Sequence, residues 1–154
     1  MSAARSFHAA TAEDMEALGG RLARAAPPGT RLHLAGDLAA GKTTLARGYL
    51  RALGHAGAVK SPTFTLVETY TLATRSVHHF DLYRMAGGEL EFIGFEDYLE
   101  PDADLLIEWA EKGGEALPAP DLDLRLRVVD DGREVSITPR TARGEAVLSA
   151  LSYT

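Results

Sequence analysis

The chain has 154 residues, 45% of them apolar and 25% charged, with a net charge of -6 and no cysteine. These values are near the average for one soluble globular domain and exclude a disordered, collagen-like or coiled-coil chain, a multi-module machine, a disulfide scaffold, a thiolate metal site and a Cys nucleophile. The acidic balance, 16 Lys and Arg against 22 Asp and Glu, is the wrong sign for a surface that grips phosphate backbones unaided, so direct DNA binding is not expected. No run reaches the ~18 apolar residues of a membrane span, and Met1 to His8 lack the hydrophobic stretch of a signal peptide; the expectation is a cytoplasmic protein without membrane contact.

In chain order, Thr11 followed by Glu13 and Asp14 predicts an N-cap with acids in the first turn, and Met15, Leu18 and Leu22 carry a helical stripe up to Pro27-Pro28-Gly29. Arg31 to Ala35 predicts a short strand running into Gly36, and Lys42 to Leu53 a second helix stopped by Gly54. Leu66 to Leu72 and Ser76 to Leu82, rich in Val, Thr, Tyr and Phe, predict a hairpin across Ala73-Thr74-Arg75. Gly87 to Glu100 predicts one or two short helices, and Asp104 to Glu108 a buried strand ending in a carboxylate. Leu122 to Val129 and Arg133 to Thr138 flank Asp130-Asp131-Gly132 and predict a C-terminal hairpin, with a helix from Thr141 to Leu151 closing the chain. Without repeats or linkers, residues 1–154 are expected to form one α/β domain, a mixed sheet flanked by helices.

Gly36-Asp37-Leu38-Ala39-Ala40-Gly41-Lys42-Thr43 satisfies G-x-x-x-x-G-K-[ST] in full, and Thr44 follows. Between a predicted strand and a predicted helix, this is a Walker A phosphate loop, and the domain is P-loop NTPase-like. Gly36 lets the chain turn off the strand and Gly41 lets backbone approach a β-phosphate. The N–H groups of Ala39, Ala40, Gly41, Lys42, Thr43 and Thr44 form a nest at the positive end of a helix. Lys42, expected as an exposed point charge with little part in the core, supplies the cation between β- and γ-phosphates, and the Thr43 hydroxyl is placed to ligate Mg²⁺.

The loop needs a carboxylate to hold its metal, and two compete. Leu105-Leu106-Ile107-Glu108 delivers an acid on an apolar strand, whereas Val77-His78-His79-Phe80-Asp81 puts Asp81 on the face of Val77 and His79. Either acid taken alone could be a strand-end cap. His78 and His79 point to opposite faces and cannot share an ion, so both read as structural. Trp109, the single tryptophan, reads by frequency as a core residue. The chain has no Asn and no Gln, which removes the guanine-reading and water-orienting amides of Ras-type GTPases and favours adenine. A small-molecule P-loop kinase fits the length, but its 13 dispersed arginines form no compact lid.

Four segments together resemble the bacterial TsaE family of tRNA threonylcarbamoyladenosine biosynthesis ATPases. They are Gly36 to Leu45, Lys60-Ser61-Pro62-Thr63-Phe64-Thr65-Leu66-Val67, His79-Phe80-Asp81-Leu82-Tyr83-Arg84, and Leu106-Ile107-Glu108-Trp109-Ala110-Glu111-Lys112-Gly113. The resemblance implies an ATP- and Mg²⁺-dependent ATPase that promotes modification of the tRNA adenosine beside the anticodon through the TsaD and TsaB proteins, with tRNA contacted only through that complex. It further implies that Thr43 and Glu108 are Mg²⁺ ligands and that Asp81 is a catalytic or water-positioning acid. Ser61-Pro62-Thr63 would be a γ-phosphate-sensing loop, Trp109 a residue beside the site, and Arg133 a basic residue near the adenosine end. Two departures are visible: Ala39 stands where the family usually has Gly, which would be strained if the position required positive φ, and Met15 replaces a common Thr. Lacking an in-cis arginine finger or Gln, such an enzyme is expected to be slow alone and faster with its partners.

Overall fold

The computed structural model describes residues 4–37, 39–85, 94–114 and 117–151. Seven strands form one sheet: β1 (Arg5–Ala9), β2 (Arg31–Ala35), β3 (Val67–Thr71), β4 (Ser76–Asp81), β5 (Ala103–Glu108), β6 (Leu122–Val129) and β7 (Gly132–Pro139). Their order is β1-β7-β6-β2-β5-β4-β3. The four central strands, β6, β2, β5 and β4, run parallel, and β3, β7 and β1 are added antiparallel at the margins. All residues of β5 are buried, as a central parallel strand covered on both faces requires. The architecture is α/β with a C-terminal β6–β7 hairpin.

Three helices, α1 (Ala12–Ala25), α2 (Lys42–Ala52) and α3 (Ala142–Leu151), pack on one face, sharing a core with Leu32, Leu34, Val77, Leu106, Leu124 and Ile137. The other face of β4 and β5 carries Phe80, Leu105 and Ile107, covered by Leu82, Met85 and Phe95. Helix α1 begins as its sequence dictates: Asp14 N–H donates to Thr11 Oγ1 at 3.1 Å, and Ala10 N–H donates to Asp14 Oδ2 at 3.1 Å. It lies hard against α2. A Cβ on Gly48 would stand 2.0 Å from the Glu16 carbonyl, so only glycine permits this approach, which fixes the axis of α2 and the loop at its N-terminus.

Two segments bear on the expected element order. The segment Arg5–Ala9 is an edge strand that its sequence did not announce: it is short, alternates weakly and owes its existence to pairing with β7. Between Gly87 and Glu100, where one or two short helices are expected, the described residues form a 3-10 helix at Phe95–Tyr98; positions 87–93 lie outside the described residues.

Arg75, expected as a mere loop residue between two strands, reaches into the interior. Its Nη1 donates to Asp104 Oδ2 at 2.9 Å and to the Ala26 carbonyl at 2.9 Å. The fully buried Asp104 also accepts from Tyr49 Oη at 2.7 Å and from Gly29 N–H at 2.8 Å. Even so, burial holds the Asp104 carboxyl above the usual carboxylate range, with Tyr49, Arg75 and Gly29 pulling it back down. Removing the cation from such a network leaves a buried charge under-compensated. Arg75→Met is therefore expected to cost about 3–5 kcal/mol in urea denaturation, whereas a loss below about 1 kcal/mol would mean that Tyr49 and Gly29 alone suffice.

Candidate active site

The carboxyl ends of β2, β5 and β4 lie side by side, where open α/β sheets place ligands. Gly36 leaves β2 at φ 151°, and Gly41 caps α2 at φ 106°, a left-handed conformation that L side chains rarely adopt. Between them Ala40 N–H donates to the Asp37 carbonyl at 3.0 Å. The only non-glycine residues with positive φ among the described residues are Leu66 and Trp109, so Ala39 meets no such strain.

The two candidate acids come together. The β4–β5 register pairs Asp81 with Glu108, and that of β2–β5 pairs Leu34 with Glu108. Thr43 Oγ1 donates to Glu108 Oε2 at 3.2 Å, joining residues 65 apart in sequence. Glu108 Oε2 also meets His79 Nε2 at 2.7 Å. Asp81 is held differently: its Oδ1 accepts from Tyr83 N–H at 2.9 Å, and its Oδ2 from Thr63 Oγ1 at 2.7 Å and Ser61 Oγ at 3.3 Å. The Ser61–Thr63 segment thus clamps the acid that the resemblance assigns to water.

Lys42 is not exposed. It is 3% accessible, donates from Nζ to the Gly36 carbonyl, and stands 4.1 Å from the centre of the Trp109 ring. Burial lowers its amino group below the ordinary lysine value, opposed by Glu108, Asp81, Glu111 and Asp37. Trp109, read from frequency as core, is partly buried and packs against the Phe80–Ile107 cluster; it holds φ 59°, and its ring is tilted 53° to that of Tyr83 with centroids 4.8 Å apart. His79, read as structural, touches Glu108; sequence reasoning missed that contact although strand alternation had placed His79 with Asp81.

Two cavities adjoin the Gly41–Thr44 end of the loop. One of about 180 Å³ is lined by Ala39, Gly41, Lys42, Thr43, Thr44 and Glu108. The other, about 270 Å³, shares Ala39, Gly41 and Thr44 and continues to Ala9, Thr11, Met15 and Arg133. Arg133 donates from Nε to the Ala39 carbonyl at 3.3 Å and so borders the loop. A larger cavity of about 470 Å³ lies against His33, Asp37, Trp109, Glu111, Asp123 and Arg125. Its three carboxylates suit an anionic ligand poorly.

The donor set at the smaller cavity, a hydroxyl and a carboxylate, is the hard oxygen chemistry of Mg²⁺. Among the described residues no group of three His, Cys, Asp or Glu could hold a metal alone.

A glycine-bounded loop between a parallel central strand and a helix, with acids at the neighbouring strand ends, defines a P-loop NTPase-like α/β protein. Residues 9–135 match the family model described as Threonylcarbamoyl adenosine biosynthesis protein TsaE, and the chain belongs to that family. It is 49% identical over 122 residues to the tRNA threonylcarbamoyladenosine biosynthesis protein TsaE of Haemophilus influenzae, covering 79% of this chain and 77% of the relative. The protein of the same name from Bacillus subtilis is 38% identical over 141 residues, 91% of this chain and 89% of the relative. The crystal structure of Bacillus subtilis YdiB superposes with a TM-score of 0.85 at 31% identity, covering 99% of this chain and 97% of that one. Among the described residues no helix is long and apolar enough to cross a membrane.

Because the chain has one tryptophan, the Lys42–Trp109 contact is directly observable. Mg²⁺–ATP that draws Lys42 from the indole is expected to change the emission of Trp109. Lys42→Ala should alter the resting emission and abolish the nucleotide response; an unchanged spectrum in both cases would count against the contact.

Proposed function

We propose that this chain binds ATP with Mg²⁺ at the carboxyl ends of β2, β4 and β5, hydrolyses it, and so serves threonylcarbamoyladenosine modification of tRNA beside the anticodon. It acts through the TsaD and TsaB proteins and reaches tRNA only through them. The observation that carries the reading is the Thr43–Glu108 hydrogen bond, because it joins the loop hydroxyl to a strand-end carboxylate in the arrangement a nucleotide-bound metal needs. The names of the relatives support the pathway.

In this reading the N–H groups from Ala39 to Thr44 receive the β-phosphate at the positive end of α2. Lys42 exchanges the Gly36 carbonyl and the Trp109 face for phosphate oxygens, which add to the nearby acids in offsetting the burial of its charge. Thr43 and Glu108 would hold Mg²⁺, which would supply compensation for the negative charge of the nucleotide phosphates. Arg133 and Thr11 border the space for the adenosine. Asp81 orients the attacking water once Ser61 and Thr63 release its Oδ2.

The resting state should turn over slowly. Asp81 is occupied by the hydroxyl clamp, and Arg84 lies over the Phe64 ring, 4.8 Å from its centre. Without a cation added at the γ-phosphate, transition-state charge is compensated by Lys42 and the metal alone. Docking of TsaD and TsaB is the step that supplies what is missing.

Glu108→Ala is expected to weaken Mg²⁺-dependent ATP binding about 10-fold or more, since the metal loses a ligand in the ground state. Asp81→Ala should retain binding and lower single-turnover hydrolysis about 10²-fold or more, since orienting water matters in the transition state. Phosphate release should rise on adding TsaD and TsaB. Rapid transfer of phosphate to a small metabolite by the isolated chain would replace this reading with a kinase.

A further inference from the structure

We infer that His79 is a positioning residue for Glu108: its imidazole N–H fixes the carboxylate so that one oxygen is committed to the protein and the other is left as the metal-facing donor. The inference rests on the reading of Glu108 as the metal carboxylate.

Strands β4 and β5 pair His79 with Leu106 and Asp81 with Glu108, so His79 and Glu108 are diagonal neighbours on one face. His79 is fully buried and Glu108 3% accessible. An ionised carboxylate only accepts hydrogen bonds, so the 2.7 Å contact assigns the hydrogen to His79 Nε2. His79 Nδ1 is then a bare lone pair, and it is buried without a hydrogen-bond partner among the described residues. The contrast with its neighbour is informative. His78, on the opposite face, uses both nitrogens, Nδ1 with Thr69 Oγ1 at 2.9 Å and Nε2 with Glu100 at 3.1 Å. That is how a structural histidine is satisfied. His79 instead leaves one nitrogen orphaned, a cost offset by the bond that its other nitrogen makes to Glu108.

That bond has a geometric consequence. The terminal torsion of a glutamate is soft, so a free carboxylate presents either oxygen in many orientations. Here Oε2 receives two donors, His79 Nε2–H and Thr43 Oγ1–H, while Oε1 accepts from no donor among the described residues. Two donors on one oxygen hold the carboxylate plane and leave Oε1 to the metal shell. Outer-shell histidine–carboxylate contacts of this kind typically change metal affinity by about 10–100-fold when removed.

The test compares ATP affinity in Mg²⁺ with affinity in EDTA, using a non-hydrolysable analogue, for the full chain. His79→Leu should keep the EDTA affinity and reduce the Mg²⁺ enhancement about 10-fold. His79→Gln, whose amide N–H can stand in for Nε2–H, should restore most of it. Long-range ¹H–¹⁵N spectra of the ligand-free wild type should show His79 as the Nε2–H tautomer. That measurement also decides the matter if the Leu variant fails to fold. An Nδ1–H tautomer, or a wild-type Mg²⁺ enhancement in His79→Leu alongside a lost one in Glu108→Ala, would overturn the inference and spare the metal reading. An undiminished enhancement in Glu108→Ala would overturn both.

Discussion

A carboxylate at the end of a fully buried strand must be solvated by the protein, and Glu108 is that carboxylate. At 3% accessibility it can keep its charge only if donors and a cation surround it. The structure supplies Thr43 from the loop, His79 from the adjacent strand, and Lys42, whose charge Glu108 favours more than any other acid does. With Glu108 itself these groups come from three segments remote in sequence, so meeting the demand of one acid assembles the site. The same demand explains why Lys42 is folded inward rather than extended into solvent.

Strand β5 is pinned at both ends by polar contacts. Near its start Asp104 binds Arg75, Tyr49 and Gly29; at its end Glu108 binds Thr43 and His79. Tyr49 belongs to α2, as does Thr43, so the helix that opens at the loop is tied to the same strand twice. Close contact with α1, which Gly48 and Gly19 together allow, removes the remaining freedom of α2. Backbone strain gathers beside the two acids. Leu66 and Trp109 hold positive φ, each at a cost of about 1–3 kcal/mol. Trp109 directly follows Glu108, and the Leu66 carbonyl accepts from Asp81 N–H at 2.9 Å. Both strained residues therefore adjoin an acid of the site, where rigid placement has a use.

Much of this was legible in the sequence, for identifiable reasons. The loop is spelled by glycine spacing, and the apolar run of β5 ends in Glu108 as a buried parallel strand should. Helix α1 carries its cap in Thr11 and Asp14. What escaped was relational. Edge strand β1 exists through β7, and the reach of Arg75 into the interior depends on how a hairpin turn sits over α1 and β5. The burial of Lys42 depends on Trp109, whose left-handed backbone no propensity announces. The contact of His79 with Glu108 was half visible, since alternation placed His79 on the face of Asp81; recognising it required the register between β4 and β5, which a single strand does not encode.

The central claim is that the crevice at the ends of β2, β4 and β5, and not the larger cavity beside it, receives Mg²⁺–ATP. Titrating the ¹⁵N-labelled chain with Mg²⁺ and a non-hydrolysable ATP analogue tests it residue by residue. The account predicts saturable shifts concentrated in the amides of Gly36, Ala39 to Thr44, Ser61 to Leu66, Asp81 to Tyr83 and Glu108 to Trp109. Shifts centred instead on His33, Asp123 and Arg125, or no saturable shifts at all, would contradict it.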